Sequence, residues 1–97
     1  MALEVYWSEE AENQLDEIIQ YLEENWSEKD IRNFFKRLED SIEAIKDSPY
    51  TYKLSQRKKE VREFQLSSQT TIFYSLNEDR VNILLLWPNK RNPENLQ

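Results

Sequence analysis

Not one glycine occurs among the 97 residues of this chain, so every reversal of direction must be built from residues that carry a Cβ. Such residues enter the positive-φ region only at a cost, which Asn and Asp bear best. The turn at Asn77-Glu78-Asp79 is therefore expected to place Asn77 or Asp79 at positive φ. The same absence removes chemistry: neither a phosphate-cradling P-loop nor a dinucleotide GxGxxG can be written, which argues against a nucleotide-dependent enzyme. Cysteine and histidine are missing too. That excludes a disulfide framework, a thiolate metal site and a Ser-His or Cys-His nucleophile pair, and leaves acid–base work to Lys, Arg, Tyr or carboxylates. No cofactor and no metal are expected.

Leu3, Val5 and Trp7 alternate with Glu4 and Tyr6, the period of a half-buried strand. Ser8 is placed to cap a helix whose first turn holds Glu9, Glu10 and Glu12, where carboxylates meet the positive end of the helix dipole. Ala11, Leu15, Ile18, Ile19, Leu22 and Trp26 then form an apolar stripe, with Glu17, Glu23 and Glu24 facing outward. Ser27 and Asp30 resemble a capping box with Asp in place of Glu. A second stripe, Ile31, Phe34, Phe35, Leu38, Ile42 and Ile45, runs until Asp47-Ser48-Pro49. The short link demands a helical hairpin. Residues 49–60 show neither period and read as a loop. Strands are expected at 61–66, 70–76 and 81–87, the last an inner strand because its apolar run is nearly continuous.

A chain of this length makes one domain, residues 1–97. Its N-terminus lacks the basic and apolar regions of a secretory signal, and no segment has the length and apolarity of a membrane span, so a cytoplasmic location and no membrane partner are expected. Charge is divided unevenly. Residues 1–48 hold 14 acidic and 5 basic side chains, net −9, while residues 49–97 hold 5 acidic and 8 basic, net +3. The two halves are suited to different partners.

Arg62, Lys90 and Arg91 lie at strand ends and could border one concave face of the sheet. Guanidinium donors there would suit a phosphodiester and its transition-state charge. The alternative is ordinary solvated cations offsetting Glu60, Glu63 and Glu94. Lys53, Arg57, Lys58 and Lys59 with Tyr50 and Tyr52 interleaved fit either single-stranded nucleic acid or a solvated basic loop. Trp7, Trp26, Phe34, Phe35, Phe64 and Phe73 sit at core periodicity, whereas Tyr74 and Trp87 adjoin the proposed basic face. The paired carboxylates of the first helix read as a solvated acidic surface.

Taken in order, Val61-Arg62-Glu63-Phe64, Ile72-Phe73-Tyr74, Val81-Asn82-Ile83-Leu84 and Arg91-Asn92-Pro93, behind a strand and a helical hairpin, resemble the RelE/ParE superfamily of bacterial type II toxin–antitoxin toxins. The resemblance runs from Val5 to Pro93. It implies an α+β fold of order β-α-α-β-β-β, a helical hairpin packed on a small, mostly antiparallel twisted sheet. It also implies growth inhibition, a role in plasmid stabilization, and a cognate antitoxin that wraps an extended and helical segment around the toxin. RelE-like members cut messenger RNA on the ribosome with basic residues; ParE-like members poison DNA gyrase, with no hydrolytic activity attributed to them. Carried onto this sequence, Arg62, Tyr74, Lys90 and Arg91 form the candidate functional face, with Lys58 or Lys59 as further nuclease candidates. Thr71 stands where RelE-like nucleases carry an arginine, and loss of one such donor costs about 2.7–4 kcal/mol of transition-state stabilisation. The resemblance therefore favours the ParE-like reading, a non-enzymatic gyrase inhibitor. A ribosome-dependent mRNA endoribonuclease and a non-toxic interaction module of the same fold are the alternatives.

Overall fold

In the computed structural model, which describes residues 3–55 and 59–88, the opening alternation forms strand β1 (Glu4–Trp7). Ser8 leaves it in extended conformation and accepts a 2.9 Å hydrogen bond from the Ala11 amide, starting helix α1 (Glu9–Asn25). Helix α2 (Glu28–Asp47) begins with the capping box: the Ser27 hydroxyl accepts from the Asp30 amide and the Asp30 carboxylate accepts from the Ser27 amide. Two amides that α2 itself cannot satisfy are thereby paired. The meander comes next as β2 (Val61–Ser67), β3 (Thr70–Asn77) and β4 (Arg80–Pro88).

Strand order in the sheet is β1-β4-β3-β2. β2, β3 and β4 pair antiparallel, and β1 adds to β4 in parallel with Val5 opposite Val81 and Trp7 opposite Ile83. β4 is thus an inner strand, as its apolar run requires. Helix α1 packs over β4 and α2 over β2. Ala11, Leu38 and Ile45 from the helices meet Leu66, Ile72, Tyr74, Val81, Ile83 and Leu86 from the sheet, all buried. A bulge at Leu84, between the pairs Tyr74–Ile83 and Phe73–Leu85, resets the alternation of β4 so that Val81, Ile83 and Leu86 all face the helices.

Because β1 ends at Trp7, the remainder of β4 has no strand on that side among the described residues. Side chains of the β1–α1 junction finish the edge instead. The Ser8 hydroxyl donates to the Leu84 carbonyl at 2.9 Å, and the Gln14 side-chain oxygen accepts from the Leu86 amide at 2.8 Å. Two positions on, Pro88 has no amide hydrogen to offer. The strand edge is closed without another strand.

Three expectations are corrected. Trp26 is 54% exposed and Phe35 38% exposed, so neither belongs to the core. Trp26 is the C-cap of α1, in extended conformation, where the helical period no longer directs it to the sheet. Phe35 lies one position around from the sheet-facing Phe34 and meets it ring edge to face at 6.0 Å. Third, the positive-φ residue of the last hairpin is Glu78 (φ 57), not Asn77 or Asp79. Asn77 pairs with Arg80 in the ladder, so the left-handed conformation falls on the first loop residue whatever its type.

Ser8 serves both as helix cap and as edge closure, whereas Ser27 caps at an exposed site. Replacing Ser27 with Ala should cost about 1 kcal/mol, a usual cap loss. Ser8→Ala should cost more, about 2–3 kcal/mol, since it also orphans a carbonyl of β4. Urea unfolding of both variants measures the difference, and equal losses would show that the Ser8–Leu84 bond contributes nothing.

Candidate functional site

Arg62 is the second residue of β2 and pairs across the ladder with Tyr74, which places both side chains on the helix side of the sheet. There they meet the chain leaving α2. The Tyr74 hydroxyl donates to the Pro49 carbonyl at 2.8 Å. The Arg62 guanidinium donates through one nitrogen to the Tyr52 carbonyl at 2.6 Å and to the Tyr50 carbonyl at 3.3 Å, and lies 5.4 Å from the centroid of the Tyr50 ring. Two neighbouring strands thus hold three carbonyls of one short stretch of loop. Tyr52 turns inward and meets Phe64 edge to face at 4.8 Å.

The held segment then pairs with the sheet. The Glu63 amide donates to the Lys53 carbonyl at 2.8 Å, the Ser55 amide donates to the Val61 carbonyl at 2.6 Å, and Leu54 bridges Arg62. Residues 53–55 therefore line the outer edge of β2 as a short extended piece, within a segment that spacing alone presents as a loop without period. The alternation of Tyr50, Tyr52 and Leu54 with Thr51 and Lys53 is the signal available, but it is too short to distinguish a strand from a loop.

Burial pushes the Tyr74 hydroxyl up to about 12, the largest influence; the nearby Arg62 charge pulls the other way and Tyr52 adds to the rise. At neutral pH this phenol is a fixed hydrogen-bond donor. Lys90 and Arg91, and Arg57 and Lys58 with them, lie outside the described residues. Lys59 is exposed beside the loop. Arg62 and the end of β4 are well separated in the ladder: Tyr74, opposite Arg62, pairs with Ile83, whereas Pro88 pairs with Thr70. Four residues of β3, from Tyr74 to Thr70, span roughly 13 Å at about 3.3 Å each. Thr71 and Trp87 pair on the opposite, open face of the sheet. On that face Val61, Phe73, Leu84, Leu85 and Trp87, with Ser8, Glu10 and Ser55, line a recess of about 430 Å³.

The sequence model of the ParE toxin of type II toxin–antitoxin system, parDE, matches residues 5–93. The chain belongs to the ParE toxin family. It is a toxin of the type II toxin–antitoxin kind within the RelE/ParE superfamily, as the resemblance implied. Solved structures share the fold: a chromosomal ParDE toxin–antitoxin system from P. aeruginosa aligns with TM-score 0.75 at 11% identity over 90% of this chain and 96% of that one. A YoeB/ParE toxin from Agrobacterium tumefaciens aligns with TM-score 0.64 at 11% identity, covering 90% and 99%. A conserved hypothetical protein from Helicobacter pylori, solved in solution, aligns with TM-score 0.61 at 15% identity, covering 90% and 94%. No curated protein matches the sequence. The α+β architecture is shared with these solved structures, and no described helix is long and apolar enough to cross a membrane.

The raised Tyr74 pKa carries a sign. With the folded value near 12 and the unfolded value near 10, the stabilisation from Tyr74 is full below about pH 10 and is lost as pH rises through 12. Tyr74→Phe should flatten that part of the stability profile relative to wild type, as read by urea unfolding at about pH 9 to 11.5. Parallel profiles would mean that the hydroxyl is not held as described.

Proposed function

We propose that this ParE-family chain acts in the cytoplasm as a target-binding toxin that inhibits DNA gyrase without catalysis, and that a cognate antitoxin neutralises it. The observation that carries the choice is the engagement of Arg62 and Tyr74. Both donate to carbonyls of a single loop, and the Tyr74 phenol stays protonated far above neutrality. A guanidinium and a phenol so used are poor tools for activating a ribose hydroxyl. Thr71 supplies no compensating charge. In this reading Arg62 and Tyr74 belong to the functional face by shaping it.

The test is direct. Purified toxin should inhibit supercoiling by gyrase and leave messenger RNA on programmed ribosomes intact, and Thr71→Arg alone should not create cleavage. Efficient A-site cleavage by wild type would overturn the choice in favour of the endoribonuclease.

Charge also points to the antitoxin surface. Glu9, Glu12, Glu23, Glu24 and Glu28 are all exposed on the helical hairpin, which suits a basic antitoxin segment and hastens encounter. The product of the neighbouring gene should co-purify with the toxin and slow hydrogen exchange within residues 8–47. A complex with no protection there would place the antitoxin elsewhere.

A further inference from the structure

The clasped loop exposes what it does not bury. Tyr50 is 71% and Leu54 54% exposed, and they rank first and joint third among the large exposed hydrophobic side chains. Their main chain is fixed by the Arg62 and Tyr74 hydrogen bonds and by pairing with β2. Exposed Lys53 and Lys59 lie in the same segment, and Glu60 is the acidic residue among them. An aromatic ring and an aliphatic side chain on a preorganised backbone, bordered by cations in a chain of net charge −6, form a contact surface whose charge is opposite to that of the helical hairpin.

We propose that Tyr50 and Leu54, held by the Arg62–Tyr74 clasp, are the anchors by which this toxin docks on an acidic surface of a folded protein target. The proposal rests on the reading of the chain as a target-binding toxin. A protein fits better than a nucleic acid. The Tyr50 ring already has the Arg62 guanidinium against it, which leaves less of it for base stacking, and Leu54 has no π-face with which to stack. Preorganisation favours the same answer, because a loop fixed before encounter loses little entropy on binding and lets a small surface hold a partner. Tyrosine is among the side chains most often found as the energetic anchor of a protein contact, and polar groups commonly surround such anchors.

The test uses the full chain induced in a bacterial host without antitoxin, with expression and folding of each variant checked by immunoblot and circular dichroism. Tyr50→Ala/Leu54→Ala should weaken growth arrest so that about tenfold more inducer or more is needed for the same effect, the scale of losing interface anchors. Lys53→Glu/Lys59→Glu should weaken it more than Lys53→Ala/Lys59→Ala, and Tyr21→Ala, also exposed but on α1, should leave it unchanged. Arg62→Ala removes the donor to both carbonyls, and should lose arrest together with hydrogen-exchange protection at the Glu63 amide. Arrest by the Tyr50/Leu54 variant equal to wild type would overturn the docking surface while leaving the toxin reading intact. Loss of antitoxin binding by that variant with arrest retained would also overturn it, assigning the surface to the antitoxin. Absence of arrest by wild type would overturn both.

Discussion

The pairing of β1 with β4 is the constraint on which the rest of the molecule depends. It joins residues 4–7 to residues 80–83, so the first strand and the last are neighbours and both helices lie within the loop they close. With β1 in place, β4 becomes an inner strand, α1 is delivered directly over it, and Ser8 and Gln14 reach the part of β4 that β1 leaves open. A β1 of four residues suffices because side chains take over its ladder. That substitution has a structural benefit: a longer β1 would leave a longer exposed edge, whereas a serine and a glutamine occupy two of the β4 edge groups and Pro88 offers none.

Among the described residues, glycine's absence is met by concentrating strain in two places. Glu60 and Glu78 both take positive φ, each at a cost of about 1–2 kcal/mol relative to right-handed backbone. Both sit where a chain must turn back immediately into a strand, before β2 and before β4. Burial close by offsets the cost: Val81, wholly enclosed in the core, and Val61, buried on the other face of the sheet, come within three residues of their turns. A turn that leads straight into a buried strand residue can hold an unfavourable conformation, because releasing the turn would also expose the valine.

Much of this was legible in the sequence because the decisive interactions are local. The helix starts at Ser8 and Ser27, the stop before Pro49 and the three strands of the meander are all set by spacing within a few residues, and the structure places each within a residue or two of where periodicity puts it. Interactions made across long separations leave no such mark. Nothing in Leu3 to Trp7 specifies β4 as partner, or a parallel register. Nothing in Gln14 marks it as the partner of the Leu86 amide, 72 residues away. Arg62 stands out as a cation, but its hydrogen bonds to Tyr50 and Tyr52 depend on where α2 releases the chain. Trp26 fits the apolar stripe by spacing alone, and leaves it because the helix ends one residue earlier.

The division of charge acquires a physical meaning once the fold is known. The acidic half is largely the outer surface of the two helices, and the described cations of the basic half include Lys53, Lys59 and Arg62 at the β2 edge. A toxin that must bind two partners at different times benefits from such a separation. On the proposed reading, long-range attraction would steer a basic antitoxin segment to the helices and an acidic target surface to the sheet edge, and each face would repel the other's ligand. Local clasping adds to this, because Arg62 and Tyr74 fix the shape of the sheet-edge loop whether or not the helices are covered. An antitoxin seated on the helices, as proposed, would leave this clasp intact and so would act by blocking access or competing for overlapping surface.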